Sequence, residues 1–388
     1  MSAFRSPLRT LFCLLAVVVP PTTAATAGPA YDTPEALGGA LFFDTALSKN
    51  RTEACATCHD PATAFVDPRE TRVGRAVSLG DDGASIGDRN TPTAAYAMFS
   101  PPFHRDPETG KWKGGQFLDG REPDLAGQAG GPPLNPIEMG MPDRAAVVER
   151  LQENPDYVLS MQALYGADVF DDPDRAYEAM TGAIAAFEGT EVFAPFDSRY
   201  DRYLRGEESF TDQEELGRVL FFSQQFTSCN LCHQLGRSAM DPAETFSNYE
   251  YHNIGVPENT AVRAVNGVAA DFVDRGLLDN PAVEDPAEAG KFKVPTLRNV
   301  AVTGPYMHNG VFQDLRTVVL FYDKYNSKKP ARQINPETGA PWGAPEVDGT
   351  LSMEQLETGP GLDDARVDAI VAFLKTLTDA RYEPLLEK

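Results

Sequence analysis

Cysteine and histidine are scarce in this chain, five of each in 388 residues, and there are only two tryptophans. Basic charge is short as well: 34 Lys and Arg stand against 57 Asp and Glu, a formal net charge of -23. That deficit argues against nucleic acid and against anionic membranes as partners. Long apolar runs are missing too. The strongest, Leu11 to Val19, falls short of the ~20 apolar residues that span a bilayer, so no segment reads as transmembrane. Strand signals are few, which points to a mainly α architecture.

The N-terminus follows the secretory pattern. Arg5 and Arg9 supply a positive start, the short apolar run follows, and Ala25-Thr26-Ala27 offers a small-residue cleavage site. Residues 1–27 read as a removable signal peptide with cleavage after Ala27, and the mature protein as soluble and periplasmic. Its loss removes two Arg and no acid, taking the charge from -23 to about -25. Acidity that keeps an exported protein soluble explains this as well as steering toward a partner does. The length suits two domains, and a hydrophobic content of 42% is enough to build a core.

Cys13 departs with the signal. The remaining four cysteines form Cys55-Ala-Thr-Cys58-His59 and Cys229-Asn-Leu-Cys232-His233. Four cysteines in an exported protein could make two disulfides. That reading leaves unexplained why histidine follows each pair at once. Cys-x-x-Cys-His is the haem c attachment signature, in which two thiols bond the porphyrin vinyl groups and the next residue ligates iron. Two covalently bound haems c are therefore expected.

The chain also repeats itself. Leu-Gly-x-x-Leu-Phe-Phe occurs at 37–43 and 216–222, before each haem motif, with apolar residues at helical spacing. Thr211 and Glu214 make a capping-box candidate for the second copy. Ala183-Ile-Ala-Ala-Phe187 and Ala369-Ile-Val-Ala-Phe373 close each half. Helix, haem motif, loops and closing helix, taken twice, describe two cytochrome c-like domains, placed at 28–200 and 201–388. Long Gly/Pro-rich loops at 80–142 and 327–362 are expected to cover the haems.

His59 and His233 are the proximal ligands on this reading, and function turns on the opposite face of each iron. An electron carrier fills both faces; an enzyme leaves one open. Between Asp60 and Ala97 there is no His, Met, Lys or Cys, and the first candidates beyond are Met98 and His104. The first haem is expected to be open. For the second, Leu315, Val318, Val319 and Tyr322 fall at i, i+3, i+4 and i+7, placing Tyr322 on the buried face of a helix. A tyrosine so placed is usually core, and Tyr325 is an equal candidate from spacing alone.

The run from Phe117 through Gln128 and Glu138 to Met139 resembles the distal loop of the bacterial dihaem cytochrome c peroxidases. So does Phe292-Lys-Val-Pro-Thr-Leu-Arg-Asn299, continuing to Pro305-Tyr-Met-His308-Asn-Gly310. The likeness runs from about residue 31 to the end. It is strongest to the branch that completes tryptophan tryptophylquinone in the methylamine dehydrogenase precursor. It implies a peroxide-using enzyme with Gln128 and Glu138 over the open haem. It also implies Tyr322 as the sixth ligand of the second haem, where the peroxidases carry methionine. A calcium ion is implied at the Asn90 side chain and the carbonyls of Thr303 and Pro305. His308 is expected near both haems and His252 near the second.

Chemistry agrees with these roles. Heterolytic O–O cleavage needs a group that shuttles a proton between the peroxide oxygens, and a carboxylate in a partly dry pocket can do so. Tyrosinate lowers an iron's potential where methionine raises it. Two departures from the family stand out: Leu118 and Thr227 occupy positions where that branch has tryptophan, and Phe226 beside Thr227 is a poor relay. Trp112 and Trp342 lie elsewhere, so either tyrosines such as Tyr96 or Tyr306 serve as stepping stones or the activity differs from that of the branch. The alternatives are a peroxidase fed by a small cytochrome or cupredoxin, and a plain dihaem electron carrier.

Overall fold

The computed structural model describes Met1, residues 28–236 and residues 238–387. Residues 2–27, the rest of the segment expected to be a signal peptide, lie outside the described residues. Helices dominate, and among the described residues the strands are a lone Arg72–Arg75 segment and two short antiparallel pairs. His104–Arg105 runs beside Trp112–Lys113, and Tyr251–His252 beside Phe292–Lys293 with Tyr251 opposite Lys293. The mainly α expectation is met.

The repeated Leu-Gly motif has a packing cause. The Pro34–Phe42 helix, capped by Thr33, lies across the Pro173–Glu188 helix. The Asp212–Phe221 helix lies across Asp364–Lys375 in the same way. A Cβ on Gly38 would collide with the carbonyl oxygen of Ala183, and one on Gly217 with that of Ala369. Those alanines open the two closing motifs, so each glycine of the first repeat meets the corresponding alanine of the second. Thr211 and Glu214 do form a reciprocal capping box at the start of the second crossing.

The core follows the repeat. One buried cluster is drawn from residues 37–194 and gathers Leu37, Leu41, Phe42, Ile184 and Phe193. Another, from residues 200–377, gathers Tyr200, Phe221, Phe246 and Phe373. The Leu315–Asp323 helix packs on Asp364–Lys375 beside this second cluster.

The long loops are less bare than their composition suggests. Residues 80–142 hold the 104–113 strand pair and a Leu125–Ala129 helix, and residues 327–362 hold a Met353–Leu356 helix. The first of these stretches reaches the far half: Gly114 N–H donates to Tyr249 O at 3.0 Å. Arg89 joins Asp119 and Asp274 at 2.7 Å each, the Tyr96 hydroxyl donates to Asp379 at 2.6 Å, and that of Tyr382 to Pro61 O at 2.9 Å. Among the described residues no helix is long and apolar enough to cross a membrane.

Candidate functional site

Both Cys-x-x-Cys-His motifs sit on a tight turn that brings thiols and imidazole together. Cys55–Cys58 is a single helical turn and Cys229–Leu231 a 3-10 turn. In each, the histidine N–H donates to the carbonyl of the first cysteine at 2.9 Å. None of these four cysteines is joined in a disulfide. Burial pushes the Cys55 and Cys232 thiols up to about 12 and raises those of Cys58 and Cys229 as well.

The imidazoles are held alike. His59 Nδ1 meets Phe65 O at 3.1 Å, and His233 Nδ1 meets Phe246 O at 3.1 Å. With Nδ1 donating to a carbonyl, Nε2 is left as the coordinating nitrogen. Burial also depresses both histidines, His233 to about 4, so each ring is neutral, as a metal ligand must be. Both acceptor residues are fully buried phenylalanines in the left-handed region, φ 58° at Phe65 and at Phe246. A bulky residue rarely adopts that conformation, and surrounding packing must hold it there.

The second clamp spans a longer loop and has its own brace. The buried Glu244 carboxylate accepts from the N–H groups of Leu235, Gly236 and Phe246. Arg298, with no exposed surface, donates twice to Glu244 O and pairs with Asp201 at 2.6 Å. Sequence reading passed over Arg298, because neither spacing nor chemistry marks an arginine that acts through backbone carbonyls.

A cavity of about 390 Å³ opens beside the second motif. Cys229, Cys232, His233 and Tyr322 line it, as do Leu315, Val318 and Val319, so the predicted helical face is a cavity wall. Tyr322 and Tyr325 now separate. The Tyr325 hydroxyl donates to Ile254 O at 2.9 Å, whereas the Tyr322 phenol has no hydrogen-bond partner among the described residues. Burial raises the Tyr322 phenol, with further upward contributions from Cys232 and Cys229 nearby. Two thiols, an imidazole with a free Nε2 and an apolar slot are the donor set and the space that a haem c needs.

On the first side, Glu138 follows Asn135, whose amide donates to its carboxylate at 2.8 Å. Burial raises Glu138, Arg121 and Asn135 oppose this, and Asp88 adds to it. Gln128 lies in the Leu125–Ala129 helix, capped by Asp124, and its amide makes no hydrogen bond among the described residues. Met98 packs against the first core, and His104 is held at the surface with Nδ1 against Pro102 O at 2.7 Å.

Asn90, Thr303 and Pro305 share the cavity wall. The Asn90 amide donates to Ala76 O at 3.0 Å, which leaves its oxygen uncommitted. The Arg75 guanidinium donates to Gly304 O between the other two. Among the described residues no group of three or more His, Cys, Asp or Glu is arranged to hold a metal ion. Leu118, Tyr96, Tyr306, Phe226 and Thr227 also line the cavity, Phe226 with much of its surface exposed.

Residues 33–209 match the family model for di-haem cytochrome c peroxidase. Along 97% of its length, and 97% of the other's, the chain is 59% identical to the methylamine utilization protein MauG of Paracoccus denitrificans. The chain belongs to the di-haem cytochrome c peroxidase family. Like other members it is a peroxide-dependent oxidoreductase built around two haem groups. It is 29% identical to cytochrome c peroxidase Ccp of Escherichia coli, over 91% of this chain and 59% of that longer one. Among solved structures, the diheme peroxidase BthA of Burkholderia thailandensis superposes with a TM-score of 0.78 at 34% identity, covering 94% of this chain and 90% of that one. A MauG-like protein associated with microbial copper homeostasis follows at 0.66 and 28%, covering 96% and 97%.

Proposed function

We propose that this member of the family is exported to the periplasm and uses hydrogen peroxide to oxidise residues of a protein substrate at a distance. The substrate would be the methylamine dehydrogenase precursor, whose paired tryptophans become tryptophan tryptophylquinone. One observation carries the reading: Tyr322 presents an uncommitted phenol to the cavity that holds Cys229, Cys232 and His233. The identity to the Paracoccus MauG over nearly the whole of both chains supports it.

Cys55, Cys58, Cys229 and Cys232 would bond the two haems, with His59 and His233 on the irons. Bound in this way, the haems supply peroxide binding and redox chemistry. Glu138 takes a proton from one peroxide oxygen and returns it to the other, and the Gln128 amide orients the peroxide. Tyr322 would hold the second iron as tyrosinate, a ligand that would lower its potential and favour storage of oxidising equivalents over intake of electrons. Asn90 Oδ1 and the carbonyls of Thr303 and Pro305 are the proposed calcium ligands, an all-oxygen set suited to that ion. The division near residue 200 would leave one haem in each domain.

The competing peroxidase reading needs a second haem of high potential that takes electrons from a small cytochrome or cupredoxin. Tyr322 stands against it. The test is to add peroxide to the oxidised protein with purified methylamine dehydrogenase precursor and follow the quinone's visible absorption. Quinone formation is expected. A haem spectrum that responds to peroxide while no quinone forms would move the substrate elsewhere.

A further inference from the structure

The wall of the large cavity around the Phe292–Lys293 strand has a charge balance that its own residues do not close. Three carboxylates there have arginine partners. Asp274 and Asp119 pair with Arg89 at 2.7 Å, and Glu346 pairs with Arg263 at 3.0 Å. Lys293 has none. Its ammonium donates only to neutral oxygens, Gly115 O and Ser100 Oγ. Burial depresses it to about 7, with Asp119 the one group pulling the other way.

His308, 8% exposed, stands on the same wall, with its ring stacked on that of Phe292, the residue before Lys293, at 3.7 Å and its Nε2 buried without a partner among the described residues. Lys293, Phe292 and His308 all line the cavity. A buried cation without a counter-charge and a buried nitrogen without a partner are both costly, and a ligand that supplies an anion relieves both.

We infer that Lys293 and His308 form a carboxylate-binding subsite that receives a propionate of the haem attached at Cys229 and Cys232. The inference rests on the family reading, which puts a haem in this cavity. Covalent chemistry supports the direction: the thioether bonds use one edge of the porphyrin, and its two carboxylates leave from the opposite edge. The carboxylates thus fall on the part of the wall away from the cysteines. Lys293 is a positioning residue on this account. Its ammonium neutralises the propionate, and a positive charge held there favours the ferrous state.

The experiment is a redox titration of the holoprotein and of Lys293→Met, Lys293→Arg and His308→Phe, followed in the visible spectrum at several pH values. Lys293→Met should weaken reduction of the His233-bound haem by at least tenfold, 59 mV for one electron. It should also give that haem a pH-dependent potential, because the propionate now titrates. Lys293→Arg should restore most of the wild-type value, and His308→Phe should shift the propionate bending bands in resonance Raman spectra. If Lys293→Met keeps two haems per chain and an unchanged potential, the ammonium serves only Gly115 and Ser100, and the subsite is wrong. If Lys293→Met does not take up haem, the Raman bands of His308→Phe decide, and unchanged bands overturn the inference. A shift that added formate reverses in the wild type would assign the subsite to a solvent anion instead. Failure of the family reading looks different: the wild type itself would carry fewer than two haems.

Discussion

Tyr322 and Tyr325 are three residues apart on neighbouring turns, and spacing alone ranks them equally. What separates them is where each hydroxyl goes. One is spent on the Ile254 carbonyl and the other faces the haem cavity. Tyr322→Phe is therefore expected to abolish the low-spin tyrosinate signal in electron paramagnetic resonance, while Tyr325→Phe leaves it intact; the reverse result would exchange the ligands. Glu138 makes a second case. Removing its carboxylate in Glu138→Gln should slow peroxide cleavage by about 10²–10⁴-fold in stopped-flow mixing. Burial raises this acid, and the base form exists only above its pKa. The wild-type rate should accordingly fall as pH drops through a value above the ordinary carboxylate range, and that limb should vanish in the variant. The two Cys-x-x-Cys-His motifs were legible because each sets reactive atoms at a fixed spacing. Lys293 and Arg298 were not, because a charge facing a cavity or a backbone oxygen leaves no periodic trace.

At the level of helices, the repeat in the sequence turns out to be a repeat of one crossing. Leu-Gly-x-x-Leu-Phe-Phe and its closing Ala-Ile-x-Ala-Phe were readable as paired patterns. That the glycine of one seats against the alanine of the other required coordinates, since sequence does not say which faces meet. Gly217→Ala places a methyl group against the Ala369 backbone, which cannot swing aside. Overpacking costs about 1–3 kcal/mol and more where nothing yields, so a loss near the top of that range is expected in thermal denaturation. Gly182→Ala, inside the Pro173–Glu188 helix with open space around it, should instead gain roughly 0.5–1 kcal/mol. Equal effects at both sites would remove close approach as the reason for the motif. The loops were read less well. Gly and Pro correctly marked the 80–142 stretch as irregular but hid the strand pair that carries it to the other half, because two-residue strands have no alternation to detect.

The whole molecule is laced together more tightly than two beads on a string. Arg89 is the principal knot, with one guanidinium serving two nearly buried carboxylates. Arg89→Met leaves Asp274 without its ion-pair partner and should cost about 3–5 kcal/mol. Heating the wild type should perturb the absorption of both haems in one transition, whereas Arg89→Met should separate them. Two transitions in the wild type would show that the halves melt independently and that the lacing carries little energy.

The matched clamps on His59 and His233 bear on ancestry. Each haem motif carries the same apparatus: a Cys-x-x-Cys turn, an imidazole with Nδ1 committed, and a left-handed phenylalanine supplying the carbonyl. A copied socket of this kind makes the irons alike wherever the copy was left untouched. On the proposed roles, their division of labour would then be written on the far side only, by Gln128 and Glu138 over one and Tyr322 over the other. Specialisation after duplication needed few edits, and those edits are where related chains should diverge when their chemistry does.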